Sequence, residues 1–392
     1  MESLISQFMD RYLPRREILH RLPVTVSIGQ FWPELEAARR GQSQTLPLKD
    51  QRGEPFWFVL NRSIEQQCNV IAALARRDVA FTGPEFDALY EEAVVDEAVY
   101  SSVIEGAFTS REQAMDFLRW NRTPRSKSEQ MIKNNYDALT YVLEHLDEPI
   151  GEETILAIAR IVTRSAAEVQ VTGYREGMVY VTGREGVVYT PPRAEVVPEM
   201  MRALVKFIRE SELHPLLKAC IAHFYLVYVH PFGDGNGRTA RALSYMMLLQ
   251  VGYDFFRYVS VSGVVAEERG RYYRAMRSME ESDGDMTYFI DAYSAMLART
   301  VQKMEDHLKY HVLAGQKLKA LEAGGSLNER QLNGARWLLE SANTGVTAEA
   351  WRKKYEVVTE TARRDLLALC AAGVLAREKD GRKAVFRILR EL

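Results

Sequence analysis

The chain is poor in cysteine, in net charge and in long apolar runs, and each shortage closes off a class of protein. Three cysteines in 392 residues, Cys68, Cys220 and Cys370, lie far apart with no CxxC and no metal-like spacing. They read as small buried hydrophobes in a reducing compartment, with no disulfides expected. A formal net charge of −2 removes any global attraction to nucleic acid or membrane, so a charged patch has to be sought locally. The longest apolar stretch, Cys220 to Val229, is interrupted by His223 and is too short to span a bilayer. The opening MESLISQFMDRYLPRREILH mixes acidic and basic residues into its apolar pattern, which excludes a signal-peptide core. A soluble, cytoplasmic protein with no membrane partner is expected.

What remains is enough for two or three domains with buried cores, at 47% hydrophobic and 27% charged residues. Residues 1–80 read as an extended N-terminal arm and helical region. A short helix around Ile5, Phe8, Met9 and Tyr12 precedes irregular stretches at Phe31-Trp32-Pro33 and Gly53-Glu54-Pro55. Helical spacing of apolar residues recurs over 62–77, 84–108, 126–146, 152–162, 196–211, 215–229, 238–251, 267–282 and 286–321, with Thr82 or Gly83 breaking the first pair. The class is therefore mainly α. One interruption, GYREGMVYVTGREGVVYTPP over residues 173–192, alternates β-branched and aromatic residues about a turn-rich centre and predicts a β-hairpin. Ala323-Gly324-Gly325-Ser326 reads as a linker to a small domain over 327–392.

One segment gathers the chemistry: His230-Pro-Phe-Gly-Asp-Gly-Asn-Gly-Arg-Thr-Ala-Arg241, between two helical runs. Gly233, Gly235 and Gly237 let backbone N–H groups converge on an anion, and the helix that follows adds its partial positive charge. Phosphate is the natural guest. Arg238 and Arg241, three residues apart on one face, offer forked donors to its oxygens. Asp234 is placed to hold Mg²⁺ on the phosphates, and His230 to take a proton from an attacking hydroxyl near neutral pH. Each feature alone is a common structural one; their joint occurrence within twelve residues, in an order that gives each a compatible role, makes the functional reading.

This segment resembles the signature of the Fic family, HxFx[DE]GNGRxxR, at every fixed position. The resemblance implies a Fic-type helical bundle over residues 81–322. It implies a protein adenylyltransferase that moves AMP from ATP to a Tyr, Ser or Thr hydroxyl of a target protein, with self-modification expected. It implies His230 as base, Asp234 as the Mg²⁺ ligand, Gly235, Asn236 and Gly237 as the phosphate cradle, and Arg238 and Arg241 on the β- and γ-phosphates. Phe232 would pack inward under the loop. The hairpin, about 174–192, resembles the family's flap, which adds a target segment as a strand, and Val181, Thr182 and Gly183 would approach the nucleotide. Arg271-Tyr272-Tyr273 is similar to a motif whose first tyrosine, here Tyr272, lines the adenine pocket. Tyr245 and Glu280 stand where the family often has asparagine.

Ser101-Ser102-Val103-Ile104-Glu105-Gly106, in the helix of about 86–108, resembles the family's inhibitory motif [ST]xxxE[GN]. It implies that Glu105, with Ser101 at the head of the motif, pairs with Arg241 in place of the γ-phosphate. The same glutamate leaves room for a bifunctional enzyme or a de-AMPylase. Over 327–392, three helical patterns and a turn at residues 379–383 resemble a winged helix-turn-helix domain with Thr361, Arg363 and Arg364 on its recognition helix. From Ser326 onward there are 13 basic against 9 acidic side chains, an excess that points to DNA, with a docking or homodimer module as the other reading. The remaining alternative is a DNA-binding regulator with a nucleotide-sensing Fic module.

Overall fold

The computed structural model describes residues 2–76, 84–119, 122–167, 170–183, 186–280, 282–340, 345–380 and 383–389. The chain divides into two compact units, one of residues 1–81 with 86–301, the other of 302–392 with 82–85. The first opens with α1 (Glu2–Asp10), α2 (Arg15–Leu19) and α3 (Ile28–Gly41), followed by the strands β1 (Gln44–Lys49) and β2 (Pro55–Phe58). Further helices follow: α4 (Arg62–Ala75), α5 (Pro84–Ile104), α6 (Arg111–Arg119), α7 (Lys127–Glu144), α8 (Glu152–Thr163), then, after the antiparallel pair β3 (Val181–Gly183) and β4 (Gly186–Tyr189), α9 (Val197–Glu210), α10 (Pro215–Val229) and α11 (Asn236–Gln250). Next come α12 (Val261–Glu267), α13 (Arg269–Glu280) and α14 (Thr287–Gly324). The architecture is mainly α. No helix among the described residues is long and apolar enough to cross a membrane.

The expected extended arm is not there. Phe31-Trp32-Pro33 lies inside α3, where Pro33 removes a helical hydrogen bond at a cost of about 3 kcal/mol. Phe31, Trp32 and Leu35 are buried with Phe8 and Ile18, and full burial of such side chains returns about 1.5–3 kcal/mol each, so the helix survives its proline. Gly53-Glu54-Pro55 closes a hairpin between β1 and β2, in which the Asp50 carboxylate accepts from the Arg52 and Glu54 N–H groups at 2.8 and 2.9 Å.

Two other boundaries differ in ways that matter for the site. The helix read as reaching residue 108 stops at Ile104. Gly106 takes φ 91°, and the N–H groups of Glu105, Gly106 and Ala107 turn back onto the carbonyls of Ser102, Val103 and Ser102. Glu105 is thereby carried on a terminal turn. Downstream, α11 starts at Asn236, two residues earlier than the apolar pattern indicates, so Asn236 and Gly237 form its first turn. The β3–β4 pair is shorter than the hairpin read from sequence, with Val181 opposite Tyr189, Thr182 opposite Val187 and a bulge between them; Arg184 and Glu185 lie outside the described residues.

The second unit holds α15 (Glu329–Glu340), β5 (Gly345–Thr347), α16 (Ala348–Tyr355), α17 (Thr359–Ala371), β6 (Leu375–Asp380) and β7 (Lys383–Ile388), with sheet order β5-β7-β6. Its core gathers Leu338, Trp351, Leu366, Leu369 and Phe386. Asp365, 2% exposed, accepts from Arg330 through two nitrogens, from Gln331 and from the Trp351 indole, and so ties α15, α16 and α17 together. The turn centre read at residues 381–382 lies outside the described residues.

Candidate active site

α10 is apolar around its whole circumference: from Leu216 to Val229 only Lys218 and Val227 are not buried. A helix buried on every face presents its C-terminus at a fixed point. There His230 caps it in the left-handed conformation (φ 51°, ψ 56°), its N–H on Leu226 O at 2.9 Å, and turns the chain into the loop. The imidazole Nδ1 lies 3.2 Å from Val227 O. As donor in that bond, Nδ1 carries the hydrogen and Nε2 is left as the acceptor. Burial holds the His230 pKa below the ordinary imidazole value; the Val227 bond and the charges of Glu105 and Asp234 oppose that shift, and Arg175 adds to it.

The loop is shaped by side chains that sequence had assigned to phosphate. The Asn236 amide grips Phe232 at both ends, accepting from its N–H at 3.0 Å and donating to its carbonyl at 2.9 Å, with Phe232 fully buried beneath. Arg238, with a side chain 1% exposed, donates to Val162 O at 2.7 Å and to the Asp234 carboxylate at 3.0 Å. In this structure Arg238 orients Asp234 and ties the loop to α8. Asp234 Oδ1 also accepts from the Gly235 N–H at 2.5 Å, and its side chain is 44% exposed.

Arg241, one turn further along α11, has a side chain 2% exposed and donates to Glu105 Oε1 at 2.8 Å, to Ser101 Oγ at 2.9 Å and to Ser101 O at 2.9 Å. Burial disfavours its charge, yet the Glu105 carboxylate beside it leaves its pKa raised above the ordinary value. Its Nη1 is buried with no hydrogen-bond partner. A Cβ built on Gly237 would stand 2.2 Å from Glu105 Oε1 and 3.2 Å from that Nη1. Only a residue without a side chain lets a carboxylate rest against the first turn of α11. The head of the helix thus holds an anion already, and that anion is Glu105.

Residues 149–248, which include the whole loop, match the family model described as the Fic/DOC family. The chain carries a Fic domain. Among curated proteins it is 28% identical over 224 residues to the protein adenylyltransferase Fic of Nematostella vectensis, covering 54% of this chain and 48% of that one. It is 37% identical over 109 residues to the protein adenylyltransferase fic-1 of Caenorhabditis elegans, covering 27% of this chain and 20% of that one. The chain spans about half the length, or less, of these curated relatives. A crystal structure of a Fic family protein from Desulfovibrio desulfuricans G20 shares the fold, with TM-score 0.55 and 18% identity over 84% of this chain and 97% of that one.

Around the Fic loop, other expectations fare differently. Tyr272, read as lining an adenine pocket, is 3% exposed and turned into the core, its hydroxyl 2.7 Å from His223 Nε2. Its neighbour Tyr273, 40% exposed, is the ring that faces out, 3.5 Å from Ile104 O through its hydroxyl. Val181 is half-buried on β3 and Thr182 is exposed. On α17, Arg363 and Arg364 are exposed and Thr361 is half-buried. Sequence reasoning missed Arg175, whose guanidinium reaches the carbonyl of His230; a lone arginine ahead of a hairpin carries no periodic or motif signal.

Proposed function

We propose that the chain is a protein adenylyltransferase held in check by its own Glu105. One observation carries this reading: a carboxylate from the turn that ends α5 lies against Gly237 and on buried Arg241, where a helix N-terminus and an unpartnered guanidinium nitrogen would receive a phosphate oxygen. The names of the relatives above support it. With ATP in that place, Nε2 of His230 takes the proton of a target Tyr, Ser or Thr hydroxyl as its oxygen attacks the α-phosphorus. The new O–P bond forms as the bond to the β-phosphate oxygen breaks, and pyrophosphate leaves. Catalysis rests on positioning and on the donors at the head of α11.

Asp234, half-exposed with one oxygen engaged by Gly235 and Arg238, would hold Mg²⁺, which supplies neutralisation of phosphate charge when bound. The deciding experiment is intact-mass measurement of Glu105→Gly after incubation with ATP and Mg²⁺. A gain of one AMP moiety supports the reading, and an unchanged mass, with no transfer to added protein, overturns it.

A second reading concerns the second unit, which we take as a winged helix that meets duplex DNA through α17. Asp365, the acid beside Arg363 and Arg364, is turned inward and matched by Arg330, so the middle of the exposed face is basic. A salt-sensitive shift of a labelled duplex, lost in the Arg363→Ala/Arg364→Ala double variant, is the expected result; no shift at low salt removes the reading.

A further inference from the structure

Arg175 lies ahead of β3, half-buried, and is the point where three stretches of chain meet. Its Nε donates to His230 O at 2.8 Å and its Nη2 to Val229 O at 3.3 Å. The same Nη2 donates to Pro192 O, beyond β4, while Nη1 donates to Gly177 O at 3.0 Å, ahead of β3. Its own N–H donates to Pro231 O at 2.9 Å. Val229 and His230 supply carbonyls from the end of α10, which have no partner within the helix. A planar guanidinium with five donors in a fixed fork can serve four carbonyls from three directions; an ammonium on a flexible stem cannot hold that arrangement. A further tie runs parallel to it, from Tyr189 on β4, whose hydroxyl donates to Tyr228 O at 2.7 Å.

The strands that this fork anchors are the exposed ones. Met178 and Tyr180, just ahead of β3, and Val187 and Val188 on β4 are 49%, 57%, 58% and 50% exposed, an apolar surface at the hairpin. We propose that Arg175 is a positioning residue for AMP transfer: its guanidinium fastens both roots of the β3–β4 hairpin to the main chain of His230, so that the segment presenting the target hydroxyl and the base that deprotonates it keep one fixed spacing. This rests on the adenylyltransferase reading. The carbonyl that receives Nε belongs to the residue whose imidazole acts, so a shift of the hairpin is transmitted to the base through one hydrogen bond. Arg175 spends its guanidinium on main-chain carbonyls and acts through His230 and the hairpin.

The test uses the full-length chain with Glu105→Gly as parent, and compares Arg175→Lys and Arg175→Met. The maximal rate of self-labelling with ATP and Mg²⁺ is expected to fall about 100-fold in both variants, the loss that a displacement near 1 Å produces, with the KM for ATP within about twofold of the parent. Hydrogen exchange by mass spectrometry is expected to show residues 174–192 and 226–236 losing protection together, with α7 and α8 unchanged. A maximal rate within about threefold of the parent overturns the proposal, as does a KM for ATP that rises in step with a lowered melting temperature, which marks general loosening. If the Glu105→Gly parent transfers no AMP, the adenylyltransferase reading falls, and the clamp is judged by exchange alone: protection lost in the hairpin but kept at residues 226–236 refutes it.

Discussion

Replacing Glu105 by glycine should make the protein faster and less stable at once, and both effects follow from the same pair of atoms. The Glu105 Oε1 to Arg241 bond is 2.8 Å long, with the arginine side chain 2% and the glutamate 32% exposed. A hydrogen bond to a charged group contributes about 1.5–3 kcal/mol, and a carboxylate at a helix N-terminus about 1 kcal/mol more. A triphosphate that must displace this carboxylate therefore meets an obstacle of about 3 kcal/mol, which is on the order of 100-fold in productive binding. Self-labelling by Glu105→Gly should rise by about that factor. Without the carboxylate Arg241 keeps its two bonds to Ser101 but loses its counter-charge. Removing one partner of a fully buried pair costs about 3–5 kcal/mol, and the partial exposure of Glu105 brings the expectation to about 2 kcal/mol. The melting temperature should then fall by roughly 5 °C without ligand and recover with ATP and Mg²⁺. Glu105→Gln, which keeps the size and drops the charge, should behave in the same direction. Calorimetric melting with and without ATP, beside labelling rates, decides the matter. Unchanged melting together with unchanged labelling would refute the idea that Glu105 fills a phosphate position.

Three other outcomes are expected. Because burial lowers the His230 pKa, the acid limb of labelling by Glu105→Gly should be centred below the 6.5 of an ordinary imidazole, with the rate rising through it toward pH 8 as the base loses its proton. Glu105 raises that pKa, so its removal moves the limb further toward acid, and a limb centred above pH 6.5 would contradict the assignment. Asn236→Ala should cost about 3 kcal/mol in denaturant unfolding, since it leaves the buried N–H and carbonyl of Phe232 without their partner, and should suppress transfer by loosening the loop. Asp365→Ala strands the Trp351 indole, Gln331 and Arg330 together and should cost roughly 3 kcal/mol, read as faster limited proteolysis of residues 327–389; equal cleavage rates would show that the cluster contributes little.

How much of this was legible depends on how far apart the cooperating residues lie. The loop from His230 to Arg241 declares itself because its residues are contiguous and a helix N-terminus needs no distant partner to attract an anion. Helix positions followed from apolar spacing, and the misread arm shows where that signal stops. A proline inside α3 looks like a break unless the burial of Phe31 and Leu35 is known, and burial is a tertiary fact. The pairing of Arg241 with Glu105 crosses 136 positions, and only the resemblance of the Ser101 to Gly106 segment to a known motif bridged them. A motif names a residue and leaves its distant partners unsaid. Arg238 was read as a phosphate donor from the signature, and its bond to Val162 O, 76 positions away, has no local signal. Tyr272 and Tyr273 are adjacent, so their side chains leave the helix about 100° apart, and composition alone cannot say which faces His223 and which faces out. Arg175 is the extreme case. Its worth lies in four main-chain carbonyls, which every residue possesses, so no pattern of side chains could have announced what it holds.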